Sequence, residues 1–262
     1  MGELLFVGLG LGSHRDMSVR ALEELRAADQ VYAEFYTSRL IDSGLEDIEA
    51  AIGKKVILLD RKGVEESEAI VEAARTKKVA FIAAGDTMSA TTHVELRMRA
   101  EEAGVRTSII HGVSVFTACA SVLGLQPYKF GRTVTLPLPE GDYFPTSPYD
   151  KILENRERGL HTLILLDIKE AEGRYMTAAQ GAEWLLEAEK RVGKGMITEK
   201  TLLCAAARLG SRSEKARAAW APEMARVDMG PPLHTLVLPG ALHFLEAEAL
   251  VHFAGAPREI LQ

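Results

Sequence analysis

Short apolar runs alternate with amphipathic stretches through the first part of the chain, and this rhythm leaves few folds open. The runs occupy residues 4–7, 31–35, 56–59, 79–83 and 106–110. Between them, 16–28, 45–52, 66–77 and 92–103 read as helices, with Met17, Ala21, Leu22 and Leu25 on one face of the first. Unbroken apolar strands separated by helices of roughly 10–15 residues describe βαβ crossovers, hence a parallel sheet covered on both faces.

The rhythm breaks at residues 126–149, which hold five of the ten prolines. Strand-like runs then resume at 161–167, 202–207, 216–220 and 233–238. Ser147 followed by Pro148 reads as an N-cap and a first-turn proline for a helix over 149–158. Thr177 and Gln180 form a capping box for a helix over 180–192. The expectation is an α/β chain of two domains, 1–112 with a parallel sheet and 113–262 with a more mixed one. They join near 111–114, and a ligand is expected in the cleft between them.

Composition narrows the function. With 262 residues, 47% of them hydrophobic and 26% charged, the chain has the balance of a folded globular protein. Its net charge of −6 disfavours a nucleic-acid partner, because an acidic surface gains little from counterion release. Its two cysteines, Cys119 and Cys204, lie in apolar runs, the usage of a reduced cytoplasmic protein. Residues 4–12 resemble a short signal segment, but Glu3 precedes them and glycines interrupt them, so a buried strand is expected. Phe6 stands where a myristoylation motif needs Ser or Thr. No run reaches the ~18 apolar residues of a membrane helix. Amides are scarce: Asn155 is the single asparagine, beside four glutamines. High-temperature life and a genomic base bias both account for that.

Several loops are candidates for chemistry. Gly8-Leu9-Gly10-Leu11-Gly12 follows a strand and precedes a helix, yet Ser13 stands where the dinucleotide fingerprint needs glycine. Glu34 lies at the distance of a ribose-binding acid, which keeps a nicotinamide dehydrogenase in play. Gly85-Asp86-Thr87 closes the fourth strand with Ser89, Thr91 and Thr92 behind it. Ligand binding and ordinary turn and cap roles both fit this loop, with Ser89 or Thr91 as N-cap. The same two readings hold for His111-Gly112-Val113-Ser114 and for His234. The seven histidines show no H-x-H or H-x-x-x-H pair, so no metal is expected. There is no nucleophile elbow and no Walker loop.

Longer strings go further. LLFVGLGLG (4–12), AEFYTS (33–38), AAGDTMSATTH (83–93), YKFGRTVTLPLPEGDYFPTSPYD (128–150), GLHTLILLDIKE (159–170) and PPLHTLVLPGALHFLEAE (231–248) together resemble the diphthine synthase family. That family is a branch of the tetrapyrrole-methylase-like methyltransferases, and the likeness spans essentially the whole chain. It implies two α/β domains, a homodimer, and S-adenosylmethionine bound between the domains, with S-adenosylhomocysteine as product and no metal. By position it implies cofactor contacts at Leu11, Asp86, Ser89, Ser114, Val115, Leu166, Leu209 and His234. Thr87 departs from the superfamily's proline after Gly-Asp, which implies a less rigid loop.

The implied reaction is repeated methylation of the amino group on a modified histidine of translation elongation factor 2. No catalytic base follows from the residues. Five aromatics crowd into 128–149, namely Tyr128, Phe130, Tyr143, Phe144 and Tyr149. They suit either a face for the quaternary ammonium product or packing under the proline-rich connection. A tetrapyrrole methyltransferase is the nearer rival and a nicotinamide dehydrogenase the more distant one.

Overall fold

A computed structural model of the chain describes residues 2–141 and 143–261, residue 171 by its main chain only. It contains two compact units. The first runs through Val115 and takes in the short segments Glu170–Glu172 and Gly210–Arg212; the second holds the remainder.

In the first unit, strands β1 (Glu3–Gly8), β2 (Gln30–Ala33), β3 (Val56–Leu58), β4 (Lys78–Ala83) and β5 (Arg106–Ile110) form one sheet in the order β3-β2-β4-β1-β5. Every pairing is parallel. The helices are α1 (Val19–Ala27), α2 (Leu45–Ile52), α3 (Arg61–Glu65), α4 (Ala69–Ala74) and α5 (His93–Glu102). Alternation along β1 explains its unbroken apolar run. Leu5 and Val7 pack with Ala21, Leu25, Ile48 and Ile52 of α1 and α2 on one face. Leu4 and Phe6 pack with Ile70, Val71, Leu96 and Ala100 of α4 and α5 on the other. Both faces are dry, and each such side chain contributes about 1.5–3 kcal/mol by burial. Phe6 also meets Phe81 of β4 edge to face at 5.9 Å.

Two helices depart from the expectation. The helix expected from residue 16 starts at Val19 on a Ser18 cap, because Asp16 is spent closing a capping box with Ser13 around a 3-10 turn. The helix expected over 66–77 is shorter, and α3 precedes it on an Asp60 cap.

The second unit contains α6 (Val115–Leu123), which opens at the last residue of the first, then β6 (Val134–Leu136), α7 (Ser147–Glu157), β7 (Thr162–Leu166), β8 (Ile168–Lys169), β9 (Arg174–Tyr175), α8 (Ala178–Val192), β10 (Leu202–Ala207), β11 (Lys215–Trp220), α9 (Ala221–Met224), β12 (His234–Leu238) and α10 (Phe244–Ala254). Its main sheet has the order β11-β10-β12-β7-β6. Only the β6–β7 pair is parallel, so the sheet is mixed as expected. β6 is an edge strand, the place where neighbouring prolines are tolerated. The Thr177–Gln180 capping box is present. Ser147 is not an N-cap: α7 includes it, and Thr146 at the cap position makes no side-chain bond.

Asn155 of α7 is buried and fully engaged. Its Nδ2 donates to the Arg132 carbonyl at 2.7 Å and Thr162 Oγ1 at 2.9 Å, and its Oδ1 accepts from Arg132 N at 3.0 Å. Only a side chain with donor and acceptor side by side can close that pair with one residue's main chain.

Candidate functional site

Three loops meet at the carboxyl ends of β1, β4 and β5, main chain against main chain. Gly10 and Gly85 exchange two hydrogen bonds, 3.2 and 2.7 Å, each with positive φ (+80° and +71°). A Cβ at Gly8 would lie 2.5 Å from Gly112 N, and one at Gly112 would lie 2.2 Å from the Gly85 carbonyl oxygen. Contacts that short exclude any side chain, so glycine at these points is dictated by loop packing. At Gly85 itself a Cβ would meet nothing nearer than Leu11 Cδ2 at 3.9 Å and the Val113 carbonyl oxygen at 4.0 Å.

Asp86 ties two of these loops together. One carboxylate oxygen accepts from Met88 N at 2.9 Å; the other accepts from His111 Nδ1 at 2.7 Å and Gly112 N at 3.3 Å. Ser89 N donates to the Asp86 carbonyl at 3.1 Å. Neither Ser89 nor Thr91 caps α5; its cap position is Thr92, whose hydroxyl makes no capping bond and instead donates to Glu65 Oε1 at 3.0 Å. Thr91 Oγ1 instead donates to the Thr87 carbonyl at 2.8 Å, as does His93 Nδ1 at 2.8 Å. The absence of proline at 87 is thus offset by two bonds to one carbonyl. The first unit places Leu11, Asp86, Ser89 and Ser114 on these strand-end loops, with Val115 opening α6 directly after Ser114.

Leu166, Leu209 and His234 belong to the second unit. β12 runs antiparallel to both neighbours, with Ala207 opposite His234 and Leu165 opposite Thr235. That register brings the end of β7, the end of β10 and the start of β12 to one edge of the sheet. His234 Nδ1 accepts from Ala178 N at 3.1 Å, so Nε2 carries the proton and donates to the Pro231 carbonyl at 3.0 Å. The ring thus holds the start of α8. Arg208, which sequence reasoning did not single out, is buried. Its Nη1 donates to the Met229 carbonyl at 2.7 Å and the Pro231 carbonyl at 2.5 Å, fixing the approach to His234.

Glu34 is no ribose ligand. It is wholly buried, and its carboxylate accepts from Thr37 N at 3.0 Å and from Thr37 Oγ1. The aromatics of 128–149 divide. Phe130 packs edge-on against His161, Phe144 stacks on Trp184 at 4.7 Å, and Tyr149 is buried with its hydroxyl on Glu189, whereas Tyr128 and Tyr143 are exposed. Burial pushes the Cys119 thiol up to about 12 and raises Cys204 as well, which removes both as nucleophiles near neutrality. Among the described residues no group of three or more His, Cys, Asp or Glu is placed to hold a metal ion, and no helix is long and apolar enough to cross a membrane.

Three histidines give the fold a pH signature. Burial lowers His93, His161 and His234 below the ordinary 6.5, outweighing the acceptors that favour their charged forms. Unfolded imidazoles take up protons that the folded ones resist, so this stability is present above about 6.5 and is lost as pH falls below it. Calorimetric melting temperatures should be level from pH 8 to 7 and decline from 6.5 toward 5. A level or rising trace over the lower interval would contradict this.

The architecture, a parallel strand-end loop cluster in one unit and a mixed sheet in the other, is that of a methylase class. Residues 3–217 match the model of the Tetrapyrrole (Corrin/Porphyrin) Methylases. The chain is 47% identical over 264 residues to the diphthine synthase of Methanosarcina acetivorans, covering 99% of this chain and 98% of that one. It is 44% identical to the diphthine synthase of Methanothermobacter thermautotrophicus, with 99% and 98% covered. A diphthine synthase crystal structure superimposes with a TM-score of 0.89 at 38% identity, covering 98% of each chain. The chain belongs to the tetrapyrrole methylases and, within them, to the diphthine synthase family.

Proposed function

We propose that this protein uses S-adenosylmethionine to methylate repeatedly the amino group of the modified histidine on translation elongation factor 2, giving diphthine. The observation that carries the reading is end-to-end identity of 47% with a diphthine synthase, where the family model alone leaves the acceptor open. Leu11, Asp86, Ser89, Ser114 and Val115 hold the cofactor from the first unit, with Leu166, Leu209 and His234 contributed by the second. The bound cofactor supplies a methyl already activated on a sulfonium.

The protein's own residues then have two tasks. Strand-end loops locked main chain to main chain hold a fixed geometry, which is what alignment for transfer requires. The acceptor amine must also arrive deprotonated. The ring of His234 is bonded at both nitrogens within the fold, so its ligand contact falls to the main chain beside it, while the Asp86 oxygen that takes only Met88 N keeps room for a ligand hydroxyl. The same reading has the protein cytoplasmic and homodimeric, working without metal, nucleic acid or membrane.

Mass spectrometry of elongation factor 2 carrying the unmethylated precursor, incubated with protein and cofactor in chelator, should show successive additions of one methyl mass. Methyl transfer to a porphyrinoid with none to the factor would assign the chain to tetrapyrrole methylation. Tight NADH binding without S-adenosylmethionine binding would assign it to neither.

A further inference from the structure

A second polar cluster lies beneath the Asp86 loop. His93, the first residue of α5, is buried; its Nδ1 donates to the Thr87 carbonyl at 2.8 Å and its ring edge meets Phe81 at 4.9 Å. With Nδ1 donating, Nε2 of the ring is an acceptor; it lies 3.5 Å from Glu34 Oε1, another acceptor, and has no hydrogen-bond partner. Glu34 follows β2 directly, its main-chain N bonded to Ile82 O of β4 at 3.3 Å and its carboxylate clamped by Thr37. Thr87 Oγ1 and Tyr36 Oη are likewise buried without a partner.

Buried polar atoms without partners are costly, and an apolar core would avoid them. Here they concentrate at the carboxyl ends of β2 and β4, below the loop that bears Asp86 and Ser89. We infer that His93 is a positioning residue for that loop: its ring, set edge-on against Phe81, holds the Thr87 carbonyl between the two cofactor contacts. The inference rests on the reading that this loop holds S-adenosylmethionine.

The test is calorimetric titration of the full chain with S-adenosylhomocysteine, alongside melting temperatures. His93→Leu deletes the donor and should raise Kd roughly ten- to a hundredfold. His93→Asn keeps a donor at the same distance from the main chain and should bind within about threefold of the parent, although both variants lose the ring's packing on Phe81 and melt lower. If His93→Leu does not fold, His93→Gln, whose donor is displaced by one carbon, replaces it against His93→Asn.

Equal affinities for the asparagine and the leucine or glutamine variants would overturn the inference, because a purely structural ring would make affinity follow melting temperature. Failure of the parent protein to bind S-adenosylhomocysteine would instead overturn the reading beneath it.

Discussion

Glu246→Ala should lower the unfolding free energy by about 3–5 kcal/mol, the range for removing one partner of a buried charged network. Glu246 lies on α10 with no exposed surface. Its carboxylate accepts from Gln126 N at 2.9 Å, His243 N at 2.8 Å and His161 Nε2 at 3.0 Å, and pairs with the Lys129 ammonium. Burial opposes the charge and is the largest single effect, yet Lys129, the two main-chain donors and His161 together hold the group at about 2. That stability is present above the ordinary carboxylate value of 4.5 and is lost as pH falls toward 2. Alanine leaves two main-chain N–H groups, an imidazole N–H and an ammonium facing an empty space. The melting temperature should drop by roughly 10 °C or more. Glu246→Gln keeps acceptors for Gln126 and His161 and should lose less. An alanine variant melting within ~2 °C of the parent would show that water or rearrangement replaces the carboxylate.

Gly112→Ala should abolish cofactor binding with a smaller loss of stability. The new methyl would sit 2.2 Å from the Gly85 carbonyl oxygen and 2.7 Å from the Gly8 carbonyl carbon, both main chain. No rotamer change relieves such a contact, so the loops after β1, β4 and β5 must separate. The bond from Gly112 N to Asp86 then opens as well. Overpacking of this kind costs about 1–3 kcal/mol in stability. Affinity for S-adenosylhomocysteine should fall more than about a hundredfold, since several contacts of ~1.4 kcal/mol or more shift together. Gly104→Ala is the control. Gly104 has φ +76° but open space around it, so alanine there carries only the backbone penalty of about 1–2 kcal/mol. Equal binding by both variants would mean that the glycine cluster does not shape the site.

The first sheet was legible because of where it lies. Strands buried on both faces leave unbroken apolar runs, and β1 and β4 coincide with theirs to within a residue or two. Local chemistry was legible too, as in the box where Thr177 and Gln180 are three residues apart. β6 was not, because three residues inside a proline-rich stretch carry no period. α6, VFTACASVL, is apolar almost all round and shows neither a stripe nor an alternation. The roles of site residues were the least visible. Asp86 bonds to His111 and Gly112, His234 to Ala178, and Glu246 to Gln126. These are side-chain to main-chain or charge contacts across distant parts of the chain, and no spacing rule reports them. Glu34 shows the hazard: its position suits a ribose, and only its burial reveals that it faces inward.

Asn155 has a consequence for how this protein ages. Asparagine amides are lost when the next residue's main-chain nitrogen attacks the side-chain carbonyl, a slow covalent clock that heat accelerates. The chain carries one such clock, and it is stopped twice. The nitrogen of Arg156 is fixed within α7, and the amide itself is committed to Arg132 and Thr162. A molecule built this way gives asparagine deamidation almost nowhere to begin while folded, so that route opens only once the chain unfolds.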